Sequence, residues 1–82
     1  MPDLLRNSLS KSLRNCEVQL RGAQLINKKW EDDVRVSLWS LNQNWMLKYP
    51  DEALPTFDDI TDEEVIEAVK ERGYKIPKEQ KQ

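Results

Sequence analysis

The placement of the helix-breaking residues constrains this chain more than any other feature. It has only two glycines, Gly22 and Gly73, and its four prolines stand at positions 2, 50, 55 and 77. Glycine and proline are the strongest local punctuators of structure. Here all of them fall at the edges of, or outside, the stretches in which apolar residues recur at helical spacing. They divide the chain into three helical segments and a polar tail.

The first segment is expected from about Asp3 to Arg21. Leu5, Leu9, Leu13, Cys16 and Leu20 form one stripe, the pattern of an amphipathic helix. Arg6, Asn7, Ser10, Arg14, Glu17 and Arg21 lie on the opposite face. Asp3 can cap the start, and Gly22 can take the left-handed conformation that ends a helix. The second segment is expected from about Lys28 to Lys48, with Trp30, Val34, Leu38, Leu41 and Trp45 as its stripe. Asn27 is placed to cap it, and Pro50 disfavours a helical Tyr49. Residues 22–27 are read as a turn that makes an antiparallel hairpin. The alternatives are one continuous helix through Gly22, at about 1 kcal/mol relative to alanine, or a short strand near Glu17–Leu20.

The third segment, residues 62–72, carries the clearest local signal. Thr61 and Glu64 have the spacing of a capping box, and Ile60 and Val65 that of a hydrophobic staple. Gly73 followed by Tyr74 suits a Schellman ending in which Tyr74 folds back onto Val69. Val65, Ile66 and Val69 are its apolar side, too few to hold so short a helix without docking.

The expected fold class is therefore all-α: a helical hairpin of two long amphipathic helices, with a shorter third helix packed across it. Residues 1–76 are read as a single small helical domain and residues 77–82 as a flexible, disordered polar tail. A chain of 82 residues builds a thin core, and domains of this size often lean on a disulfide, a metal or a partner. With Cys16 as the only cysteine and no histidine, neither a disulfide within the chain nor a closed zinc site is available. Oligomerisation or a partner is left by elimination.

The same inventory excludes most chemistry. Without histidine the commonest general base is missing. Cys16 has no base beside it in the stripe and reads as a small core residue. Two glycines cannot build a phosphate-cradling loop. Asp58, Asp59, Asp62, Glu63, Glu64 and Glu67 lack the alternating ligands and central glycine of a calcium loop. They read as helix capping with a solvated face, or as an acidic docking surface for a basic partner. The chain is expected to be no enzyme, with no cofactor, no metal and no small-molecule substrate. No apolar run approaches the ~20 residues of a membrane span. The lone cysteine and the absence of a secretory pattern point to a cytoplasmic setting.

The net charge of −2 conceals a division. Residues 1–30 hold six basic residues against Asp3 and Glu17, and residues 51–71 hold nine acidic ones against Lys70. Charges of one half can pair with those of the other. As an alternative, Arg6, Arg14, Arg21, Lys28 and Lys29 could contact nucleic-acid phosphates, although an acidic chain lacks the usual basic signature.

The tryptophans discriminate best. Trp30 and Trp45 share the apolar stripe of the second segment and read as core. Trp39 lies about 100° from Leu38 on an ideal helix, on the side of Val36 and Met46. It either packs beneath the third helix or faces a partner, where tryptophan and methionine are favoured. The expected function is a protein–protein interaction module (an adaptor, inhibitor or regulatory subunit, or a self-associating unit). Its contact residues are Val36, Trp39, Met46 and Leu47, with Asp58, Asp59, Glu63 and Glu67 as an acidic surface. A small DNA-binding regulator is the alternative.

Overall fold

The computed structural model describes residues 4–75. Asp3 as a cap, and the tail at 77–82, lie outside the described residues. Three helices follow in order: α1 (Leu4–Ile26), α2 (Lys28–Lys48) and α3 (Asp62–Glu71). There is no strand among the described residues, so the Glu17–Leu20 stretch is helical.

α1 does not stop at Gly22. It runs on to Ile26, and the reversal is made by Asn27 alone. Asn27 is extended (φ −153°, ψ 119°), and its side-chain oxygen accepts from the amides of Lys29 and Trp30. Its own amide donates to the Ala23 carbonyl at 2.9 Å, and its carbonyl accepts from Glu31 at 3.0 Å. One residue thus meets polar groups of both helix ends that a longer turn would leave to water. At the far end of α2 the Tyr49 amide donates to the Trp45 carbonyl, and Pro50 follows.

Gly22 has a packing role instead. A Cβ there would stand 2.8 Å from Val69 Cγ2 of α3, closer than such carbons approach. The glycine is where α3 sits down on α1. Val18, outside the expected stripe, is buried in α1, as Val65 and Val69 are in α3.

α3 ends and begins as its residues dictate. The Glu64 amide donates to Thr61 Oγ1 at 3.2 Å, and the Thr61 amide to Glu64 Oε1 at 3.3 Å. Arg72 is the C-cap, and Gly73 has φ +96°. The Gly73 amide bonds the Lys70 carbonyl and the Tyr74 amide the Val69 carbonyl, the pair of bonds that defines a Schellman ending.

The hairpin core has two parts. Near the turn Leu20, Ala23, Trp30 and Val34 enclose Val69, with Tyr74 packed against them. Tyr74 stacks on Trp30 with ring centroids 5.1 Å apart. Towards the open end Leu9 and Leu13 pack on Trp45, with Leu38, Leu41, Tyr49 and Phe57 around them. Leu5, expected in the stripe, is exposed at 54%, because α2 has already ended where α1 reaches it. Cys16 is only partly buried. Trp30 and Trp45 are almost wholly buried. Each indole removes on the order of 150–250 Å² from water, worth about 4–6 kcal/mol at the usual area coefficient. Their Nε1 groups have no hydrogen-bond partner among the described residues. Each such donor costs about 1–3 kcal/mol, so burial still wins and both rings anchor the hairpin.

Candidate protein-interaction surface

α2 presents two faces. Trp30, Val34 and Trp45 are buried against α1. The helix period places Val36, Trp39, Met46 and Leu47 on the other side, and they are exposed at 69%, 64%, 53% and 80%. α3 packs on α1 and does not cover this side. Trp39 is therefore not core beneath the third helix, the first of its two expected placements. The four side chains form a band along the outer face of α2, interrupted by Ser40 and Gln43.

Two features of this face escape a search for apolar periodicity. The run from Val36 to Leu47 contains no charged residue, in a chain 34% charged. That neutrality was the available signal. In addition, Leu4, 75% exposed, and Leu5 lie in the first turns of α1, at the end of the hairpin where Met46 and Leu47 stand. The antiparallel pairing fixes this proximity of ends, with the Arg6 guanidinium 5.2 Å from the Trp45 ring centroid.

Asp59, Glu63 and Glu67 lie around Arg14 and the groove it lines, while Asp58 lines another hollow. Glu63 and Glu67, both exposed, border a groove of about 770 Å³ between α1 and α3, whose walls include Lys11, Val18 and Ile66. Asp58 borders a separate hollow with Arg21 and Phe57. Asp59 is drawn to Arg14 at 3.4 Å.

The basic residues of the alternative reading are mostly engaged with carboxylates. Arg6 donates to Glu52 at 2.6 and 2.9 Å. Arg14 binds Glu64 through both terminal nitrogens at 2.5 and 2.8 Å. Arg21 reaches Glu17 at 3.4 Å and Lys28 reaches Asp32 at 3.3 Å. Lys29 is exposed in the first turn of α2. The Arg6 and Arg14 pairs tie the first helix to the acidic second half of the chain, whereas the Arg21 and Lys28 pairs lie within α1 and α2.

The Arg14 hydrogen bonds hold the Glu64 carboxyl down at about 2, with the Thr61 amide adding to the effect and burial opposing it. Arg14 is raised above its ordinary value, first by Glu64, against burial, and further by Asp59. Burial pushes the Cys16 thiol up, away from the thiolate that nucleophilic chemistry requires. Among the described residues no group of three or more histidines, cysteines or carboxylates is placed to hold a metal ion, and no helix is long and apolar enough to cross a membrane. The chain matches no protein-family model, no curated protein and no solved structure.

Proposed function

We propose that this chain is a non-enzymatic protein–protein interaction module acting in the cytoplasm, with the outer face of α2 as its contact surface. One observation carries the reading: Val36, Trp39, Met46 and Leu47 are exposed together on a helix whose other face is already committed to the core. An apolar patch of this kind is costly in a free monomer and commonly marks an interaction site. A tryptophan near its middle suits the role of an energetic centre. The raised Cys16 thiol and the lack of histidine support a binding role over catalysis.

The test compares the intact chain with its Trp39→Ala variant, attached to a support and exposed to extract of the source cells, with and without nuclease. The expected outcome is nuclease-resistant recovery of protein by the intact chain and its loss with the variant, while the variant keeps its helical circular dichroism. Recovery that depends on nucleic acid, or that is indifferent to Trp39, would remove the reading.

A further inference from the structure

We infer that the occupant of the α2 face is a second copy of this chain, docked antiparallel about a twofold axis that passes between Ser40 and Gln43. The inference rests on the interaction reading above and names its partner.

Charge selects the partner. A twofold contact sets every residue near the axis against its own surface, so any net charge there meets its like, and like-charge juxtaposition is strongly disfavoured. α3 exposes Glu63, Glu67 and Glu71 on its surface, and residues 51–59 add Asp51 and Asp58. Those regions repel a second copy. Val36 to Leu47 carries no charge at all, so it can meet itself without repulsion. The same neutrality offers nothing to steer or select a charged foreign partner.

Area agrees. At their exposures the four apolar side chains present on the order of 500 Å², near the upper end of what one monomer leaves in a single patch. A stable interface takes about 800 Å² from each partner. The patch supplies more than half, and Ser40 and Gln43 within the band supply polar surface. A chain with one cysteine and no histidine has no disulfide or zinc to supplement its small core, which makes such burial all the more useful.

Geometry sets the direction. Val36 and Leu47 are 11 positions apart in α2, roughly 16 Å along the axis. An antiparallel arrangement centred between them brings Val36 against Leu47 of the partner subunit at both ends of the contact, and Ser40 against the partner's Gln43 near its centre. It also opposes the two helix dipoles. A parallel arrangement would align them and stack each residue on its own copy.

Sedimentation of the intact chain over a range of concentrations tests the inference, with Leu47→Glu, Val36→Lys and the double variant alongside. Both positions point outward, so circular dichroism should show all three folded. The wild type is expected to dimerise. Each single variant should weaken the dimer at least about tenfold, because it places an unpaired charge in an apolar contact. The double variant should regain most of the loss, since the two introduced charges meet only across the twofold axis and are too far apart on one helix to pair. A wild type that stays monomeric up to about 1 mM, a dimer indifferent to either single variant, or a double variant as weak as the singles would each overturn the inference. If the wild type is monomeric yet Trp39→Ala abolishes protein recovery from extract, only the identity of the partner falls and the interaction reading stands.

Discussion

Gly22 of α1 and Val69 of α3 are in contact so close that a methyl group on the glycine would lie 2.8 Å from Val69 Cγ2. Val69 is fully buried, and its β-branched side chain has few rotamers to escape into. Gly22→Ala therefore sets two effects against each other. Helix propensity favours alanine by about 1 kcal/mol. Overpacking a tight site costs about 1–3 kcal/mol. The contact is with a stiff, enclosed group, so the second effect should win, with a net loss of up to about 2 kcal/mol on urea unfolding. A more stable Gly22→Ala would mean that α3 rides outward freely and that the close approach contributes little.

A second tie between the same helices is ionic and gives a pH dependence. The Glu64 carboxyl is held at about 2, below its ordinary 4.5, chiefly by Arg14. A carboxyl depressed in the folded state contributes stability that is fully present above its unfolded value and is lost as pH falls through the folded one. The window is thus from about 4.5 down to about 2. The pair is partly exposed, at 30% and 38%, so water and salt weaken it. Glu64→Gln should melt lower than wild type at pH 7, and the gap should narrow as pH is lowered through that window. A gap that is constant from pH 7 to pH 2 would show that Arg14 does not depend on the Glu64 charge.

Thr61→Ala removes the side-chain acceptor of the capping box and should cost about 0.5–2 kcal/mol. Glu64 serves both the box and Arg14, so the two substitutions act on one network. Chemical denaturation of Thr61→Ala, Glu64→Ala and the double variant should give a combined loss smaller than the sum of the single losses, since alanine at 64 removes both the box acceptor and the Arg14 partner. Simple additivity would show that cap and ion pair are independent.

These contacts also show what a one-dimensional pattern can and cannot reveal. The α3 boundaries are legible because their causes are local: Thr61 and Glu64 are three residues apart, and Gly73 takes its positive φ beside the residue it caps. Asn27 as a cap is legible for the same reason. Gly22 is not, since its meaning depends on Val69, far away in sequence, and by local rules a glycine near a helix end reads as a stop. Val18 lies off the leucine stripe and is buried because α3 arrives there. The exposure of Trp39 follows from the side on which α3 docks, a choice made by Val65, Val69 and the Gly22 notch. The band of Val36, Trp39, Met46 and Leu47 was visible as a surplus of apolar residues on α2, but whether anything covered it was a tertiary question. The acidic residues are adjacent in sequence, but that Asp59 and Glu64 converge on one guanidinium depends on Arg14, far away in the chain.

The two tryptophans of the second half of α2 should behave oppositely. Trp45 is 1% exposed and packs on Leu9 and Leu13, with Tyr49 at 5.0 Å and Arg6 over its ring. Its removal opens a cavity in one of the two parts of the core, and a change of this kind costs about 3–5 kcal/mol. For a domain this small that is a large share of the total stability of roughly 5–15 kcal/mol, so Trp45→Ala should be largely unfolded or melt far below wild type. Trp39 is 64% exposed on the same helix, six residues away. Alanine there loses little burial and gains slightly in helix propensity, so the change in stability of the monomer should lie within about 0.5 kcal/mol. The comparison must be made at concentrations low enough to suppress any association, because a ligand or partner that binds only the folded state raises its apparent stability. Thermal melts followed by far-ultraviolet circular dichroism give the first measurement, and the tryptophan emission maximum of each variant gives the second. Loss of Trp39 should remove the more red-shifted, water-exposed component, whereas loss of Trp45 should remove a buried one along with the fold. If Trp39→Ala melts as low as Trp45→Ala at low concentration, its ring belongs to the core and the outer face of α2 has no apolar surplus to offer a partner.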